Sequence, residues 1–329
     1  MRIGLTYDLK SDYLAQGMSA EEAAEFDRDD TIVALEEVIR GKGHVPARIG
    51  TAKQLIEALG RGERWDLVFN IAEGVRGLSR ESQVPAILDV YQIPYTFSDP
   101  LVLGVCLHKG LTKTVVRAAG VPTADFVLIS EPKEIDAITL PLPLFVKPVA
   151  EGTSKGVTPT SWVKTKAELR PAIEGLLAKY QQPVLVETYL PGRELTIGVA
   201  GTGPSAEILG ATELVYLQNA EHGLYSYENK HTWEDKVSYR FVRGSDDPEV
   251  KEAEGVALAA WRALGCRDAG RVDVRFDAQG RANFIEVNPL AGINPTISDL
   301  AIIIKEAGIP YEVLIGRIID DAARRAGLL

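Results

Sequence analysis

Two cysteines in 329 residues, Cys106 and Cys266, are too few for a disulfide framework or a thiolate metal site, and both sit among apolar neighbours. They read as small core residues of a protein from a reducing compartment. No lysine or arginine run interrupts a formal net charge of -10, set by 46 acidic against 36 basic residues. A nucleic-acid surface and an anionic membrane surface are therefore poor partners, and any grip on phosphate has to be local. No uninterrupted apolar stretch approaches the ~20 residues that cross a bilayer. The opening MRIGLTYDLK lacks the basic start and long apolar core of a signal peptide. The expected location is the cytoplasm. What is present is ample apolar content, 46%, in a chain long enough for two or three packed modules.

The periodicity divides the chain into three parts. Ile3 to Tyr7 and Asp66 to Ile71 read as strands, and Asp29 to Arg40 as a helix capped by Asp29 or Asp30 with Ile32, Leu35 and Ile39 on one face. A further helix near Gln83 to Tyr91 and an extended IPYT segment give a βαβ-like alternation, so residues 1–100 are expected to form a doubly wound α/β module. Its functional edge lies at the carboxyl ends of the strands, where Glu73 and Gly74 follow FNIA. Residues 101–190 read as a compact second module. It comprises a helix from Lys109 to Ala119 stopped by Gly120 and Pro122, the strand LPLFVKPV, the polar EGTSKG, a helix around Lys166 to Lys179 and the strand PVLVETYL. Residues 191–329 are rich in strands, with a helix from Pro248 to Leu264 and a closing amphipathic helix from Tyr311 to about Arg325. The polar, weakly periodic stretch Gln218 to Ser245 has the length of a lid loop.

Three constellations carry chemistry. In GRVDVRFDAQGRANFIEVNP, two strands flank the turn-forming DAQG. Alternation puts Arg271 and Asp273 on one face of the first strand, and Glu286 and Asn288 on one face of the second. Cross-strand pairing would converge Asp273, Glu286 and Asn288 as hard oxygen ligands for Mg²⁺ on nucleotide phosphates, with Arg271 beside them to neutralise charge. The bland alternative is the solvent face of an edge hairpin. Second, Lys147 ends a buried strand just before Glu151-Gly152-Thr153-Ser154-Lys155-Gly156. The lysine can reach a phosphate, and the loop can turn backbone N–H groups toward others and close over them. Walker and dinucleotide spacings are absent, and an ordinary surface turn is the competing reading. Third, VLVETYL runs into a junction with Glu194, a natural place for an adenine pocket, although Glu187 and Glu194 could equally be surface acids.

The order of these pieces resembles the ATP-grasp superfamily. In detail, IPYTFSDPLVL…HKGLTK, PLFVKPVAEGTSKGV, VLVETYLPGRELTIGV, LYSYENKH and GRVDVRFDAQGRANFIEVNPLAGINP resemble D-alanine–D-alanine ligases from about Phe69 onward. The resemblance implies an ATP-grasp fold, in which the N-terminal doubly wound α/β module is followed by two α+β modules clasping ATP. It implies that Lys109 and Lys147 contact ATP phosphates, that Glu151, Gly152, Thr153 and Ser154 form the covering loop, and that Glu187, Thr188 and Leu190 line the adenine pocket with Glu194 on the ribose. Lys230 would reach the γ-phosphate, Asp273, Glu286 and Asn288 would hold two Mg²⁺ (with Mn²⁺ as a substitute), and Arg271 with the backbone around Gly292 would stabilise a tetrahedral intermediate. Ser154, Lys230 and His231 join Arg271 and Gly292 as catalytic candidates, and Glu73 and Ser298 are the candidate substrate contacts.

The implied activity is ATP-dependent carboxylate–amine ligation through an acyl phosphate, on small amino-acid substrates, by a homodimer. Departures bear on the substrate. FNIAEGVRGLSRE stands where the family has its histidine-glycine string, the family's acid near the N-terminus has no recognisable counterpart, and His231 replaces a tyrosine after the lid lysine. An ATP-grasp ligase for another amino acid or a specialised metabolite is thus a rival reading, and a non-catalytic ATP-binding protein is a third.

Overall fold

The computed structural model describes residues 1–216 and 237–329; Lys230 and His231 lie outside the described residues. Near the N-terminus, the parallel strands β1 (Arg2–Thr6), β2 (Val45–Gly50) and β3 (Leu67–Asn70) form a sheet in the order β2-β1-β3. Four of the five β1 residues are buried, because the strand is covered on both faces. After the short helix α1 (Lys10–Ala15), two helices cross between these strands, α2 (Asp29–Gly41) and α3 (Ala52–Gly60). The first buries Ile32, Leu35 and Ile39 as its spacing requires, but its cap differs from expectation. Arg28 occupies the N-cap without a side-chain bond, while Asp29 and Asp30 sit in the first turn, where the helix dipole favours negative charge. The segment β2–α3 escaped the periodicity: VPARIG alternates poorly and contains a proline, whereas α3 begins in a Thr51–Gln54 capping box.

An antiparallel sheet follows in the order β4-β7-β5-β6, built from β4 (Phe126–Ile129), β5 (Leu144–Pro148), β6 (Trp162–Val163) and β7 (Val184–Thr188). The helix α7 (Lys166–Tyr180) packs over it through Ile173, Leu169 and Leu176. Between the two sheets run α4 (Gln83–Val90), α5 (Pro100–Leu107) and α6 (Lys109–Ala118).

The last sheet has five antiparallel strands in the order β10-β9-β8-β11-β12. They are β8 (Glu194–Ala200), β9 (Glu207–Tyr216), β10 (Val237–Val242), β11 (Ala269–Phe276) and β12 (Ala282–Asn288). Helix α8 (Pro248–Leu264) covers one face; Asp247 caps it, Pro248 occupies its first turn, and Gly265 ends it in the left-handed conformation. Its Trp261 is fully buried, and Cys106 and Cys266 are buried free thiols in the same core.

The closing helices α9 (Asp299–Glu306) and α10 (Tyr311–Arg325) pack on the first sheet as well as on their own. Leu300, Ile304, Leu314, Ile315 and Ile318 share one core with Ile3, Leu5, Ile32 and Phe69. The amphipathic face of α10 is thus satisfied by residues some 300 positions earlier in the chain, roughly a full chain length away. This common core fixes the first sheet against the last, which is what allows a site to form between them. Among the described residues, no helix is long and apolar enough to cross a membrane.

Candidate active site

The hairpin of β11 and β12 sets the centre. Its register pairs Arg271 with Asn288 and Asp273 with Glu286, so the four side chains singled out by alternation stand directly opposite one another. Gly270 permits this approach: a Cβ there would lie 2.5 Å from the Asn288 carbonyl oxygen and 2.7 Å from the Trp261 ring. Arg271 donates to Asp273 Oδ2 at 2.6 Å, and its Nε lies 3.7 Å from Asp299. The other Asp273 oxygen, Oδ1, is buried without a hydrogen-bond partner, as is the Asn288 side-chain nitrogen. Buried polar atoms of this kind signal a missing ligand. Two carboxylates and an amide, one oxygen of them orphaned, suit a hard divalent cation such as Mg²⁺. Burial raises the Asp273 pKa to about 6 against the pull of Arg271. Burial also opposes ionisation of Glu286, but Lys109, Lys147 and Arg271 outweigh it and hold that carboxyl down at about 2.

A cavity of about 130 Å³ opens between this hairpin and the middle sheet. Its floor is a buried charge triad. Glu187, on β7, receives Lys113 Nζ at 2.7 Å and Lys147 Nζ at 2.9 Å. Burial works against the Glu187 charge, yet the two lysines hold its pKa down to about 2. Lys113 is fully buried and also donates to Thr123 Oγ1 at 2.7 Å. Sequence reasoning passed over it, although it stands four residues after Lys109 on one helix face, a spacing that signals a shared direction. Thr188 and Leu190 line the same cavity. Glu194 lies there too, 3.1 Å from Arg275. Tyr189, which lines the cavity, stacks on Trp162 with centroids 4.9 Å apart.

The loop from Glu151 to Gly156 roofs the cavity. Thr153 and Ser154 both adopt left-handed backbone, at φ 50 and 57, costly for a β-branched residue and typical of functional loops. The loop is held by the N-terminal part of the chain. Glu25 accepts from the Gly152 backbone N–H at 2.6 Å, pairs with Lys155 Nζ at 3.0 Å and with Arg80 at 2.9 Å. A Cβ at Gly152 would lie 2.5 Å from Glu25 Oε1, so only glycine leaves room for this contact. Lys155 also meets Glu151 at 2.7 Å, and Arg80 donates to the Ala150 carbonyl. No local sequence signal marks Glu25 or Arg80, because their partners lie far along the chain.

A second cavity, of about 210 Å³, adjoins the first. Lys109, Arg271 and Glu286 line both, and Lys109 Nζ lies 3.4 Å from Glu286. Gly292 and Ser298 line this second space from the β12–α9 loop, with Ser298 Oγ accepting from the Asn294 N–H. Glu73 reaches it from the end of β3, joined by Asp27 and Glu81. Burial, then the neighbouring Glu81 and Glu25, push the Glu73 pKa well up. Such an arrangement can bind a polyanion in the first cavity, a small acid in the second, and bring the two together at Lys109 and Arg271.

Comparison with known proteins gives a consistent result. The family model described as "D-ala D-ala ligase C-terminus" matches residues 115–320. The D-alanine–D-alanine ligase of Actinobacillus pleuropneumoniae serotype 5b is 34% identical over 297 residues, spanning 88% of this chain and 91% of the relative. That of Alcanivorax borkumensis is 31% identical over 312 residues, spanning 95% and 93%. The crystal structure of D-alanine–D-alanine ligase from Bacillus anthracis complexed with ATP matches 99% of both chains with a TM-score of 0.73 and 24% identity, which shows a shared fold.

Proposed function

The chain belongs to the D-alanine–D-alanine ligase family, and from that premise we propose that it joins the carboxyl group of one amino acid to the amine of another, with ATP and Mg²⁺. D-alanine or a close relative is the first donor to try, since that is what the named relatives act on. The observation that carries the reading is the junction of the two cavities, where Lys109, Arg271 and Glu286 line both.

The chemistry requires such a junction. A carboxylate acylates poorly because its leaving group would be oxide; transfer of the ATP γ-phosphoryl group makes phosphate the leaving group instead. Asp273, Glu286 and Asn288 would hold Mg²⁺, which supplies charge neutralisation on the phosphates. Lys109 and Lys147 point positive charge at the same phosphates, and Glu187 with Lys113 fixes where Lys147 can reach. Attack by the amine then creates a tetrahedral oxyanion, which Arg271 and the backbone around Gly292 stabilise. Water must stay out, or the acyl phosphate is lost to hydrolysis. The roof at Glu151, Gly152, Thr153 and Ser154 serves that purpose, with Glu25 as its anchor. Thr188, Leu190 and Glu194 receive the nucleoside, and Glu73 and Ser298 face the amino acids. Lys230 belongs to the same proposal on family grounds alone, and His231 as the imidazole that stands where the family has a tyrosine. So do the modules 1–100, 101–190 and 191–329, a cytoplasmic location and a homodimer.

Phosphate release from ATP with Mg²⁺, scanned across D- and L-amino acids alone and in pairs, tests the reading. Release stimulated by at least one pair, with the condensed product found by mass spectrometry, supports it. ATP binding without release for any pair removes it.

A further inference from the structure

The second cavity is lined by more carboxyl groups than the ammonium of one simple amino acid can match. Among its acids, Glu25 is neutralised by Arg80 and Lys155, Glu151 by Lys155, and Glu286 by Lys109. Among the described residues Glu73 and Glu81 have neither a hydrogen-bond nor an ion-pair partner, although Glu81 is only 9% exposed and both line the cavity. Asp27, beside them, has Thr31 as a hydrogen-bond partner and no cation. A buried carboxylate without a partner is costly, and proteins keep one where a ligand supplies the missing charge. Among the described residues, no three acids, histidines or cysteines are arranged to hold a metal ion.

An ordinary amino acid would bring a single ammonium group to this wall and leave carboxyl groups unmatched. We propose that the acyl donor is a dicationic amino acid, whose α-ammonium and side-chain ammonium or guanidinium group share Glu73, Glu81 and Asp27. The inference rests on the ligase reading and names the substrate class of its donor pocket. The electrostatics agree with it. Burial pushes both Glu81 and Asp27 up to about 7, with Arg80 pulling Glu81 down and Thr31 pulling Asp27 down, while Glu25 and Lys109 act on Glu81 in opposite senses. Such groups take up protons in the empty pocket and give them up to an arriving cation.

The test uses the full-length enzyme with Mg²⁺ and ATP, comparing both enantiomers of ornithine with those of norvaline, which has the same carbon chain without the second ammonium. Donor kcat/KM, read by phosphate release with a fixed amine acceptor, is expected to favour ornithine about tenfold or more, the scale of one charge-assisted hydrogen bond. Calorimetry on protein loaded with a non-hydrolysable ATP analogue, in two buffers of different ionisation enthalpy, is expected to show more proton release with ornithine than with norvaline. E81Q is expected to bring the ornithine-to-norvaline ratio close to one, and E73Q gives the same readout if E81Q does not fold. Norvaline serving as well as ornithine, or a ratio unmoved in both variants, overturns the inference while leaving the ligase reading intact. Silence with every donor, although ATP binds, removes the ligase reading and this inference with it.

Discussion

Around the first cavity, Glu187 lies between Lys113 and Lys147 at 2.7 and 2.9 Å, whereas on the wall of the second cavity Glu81 and Glu73 have no cation within ion-pair distance among the described residues. Both walls bury carboxyl groups, yet the first pulls its acid down to about 2 and the second lets Glu81 rise to about 7. The difference separates two tasks. Phosphate recognition is common to every turnover, so its charges are paired in advance and cost no reorganisation when ATP arrives. Recognition of one amino acid among many is left to acids whose partner is the ligand, at the expense of stability in the empty protein.

The largest test is at the centre. Glu286→Gln is expected to lower phosphate release by at least about a hundredfold, with an unchanged circular dichroism spectrum; full activity would show that the paired side of the comparison is not where the chemistry happens. Next, Glu187→Ala should strand two buried lysines and cost about 3–5 kcal/mol in a urea titration. A loss below about 1 kcal/mol would mean that the triad is no scaffold.

The two walls should also respond to pH with opposite sign. Glu187 has a depressed pKa in the fold, so its contribution is present above the unfolded value near 4.3 and disappears as pH falls from there toward about 2. That contribution is about 3 kcal/mol, and Glu187→Gln should flatten the acid limb of a stability–pH profile. Glu81 has a raised pKa, so the folded state is favoured below about 4.3 and loses that advantage as pH rises through about 7. Glu81→Gln should therefore stabilise the ligand-free protein by about 1–2 kcal/mol at pH 8 and leave it unchanged at pH 4, measured by thermal melts. A destabilising Glu81→Gln at pH 8 would reverse the comparison.

Much of the architecture was legible locally. The β11–β12 hairpin follows from alternation broken by DAQG, and α8 from Asp247-Pro248 at one end and Gly265 at the other. Lys147 and the EGTSKG loop stand out because lysine at the end of an apolar strand and glycine beside hydroxyl residues are uncommon in a mere connector, whereas Lys109 was marked by the family resemblance and Glu187 could equally have been a surface acid. Other features were hidden for identifiable reasons. VPARIG has no clear alternation, Arg28 displaced the expected aspartate caps, and Lys113 read as one more lysine on a helix. Glu25 gave no signal at all, since its meaning depends on Gly152, 127 residues away.

The sequence by itself determined the repeating elements, the turns that join them and the residue types able to grip phosphate and metal, because those depend on spacing of 2 or 3.6 residues and on single-residue chemistry. The tertiary structure alone decided which acids find cations. Packing α9 and α10 into the core of the first sheet brings Arg271 and Asp299 to the same cavity as Glu73 and Glu81. Whether a buried carboxyl group is ionised and waiting, or already matched, is set by neighbours that chain order does not reveal.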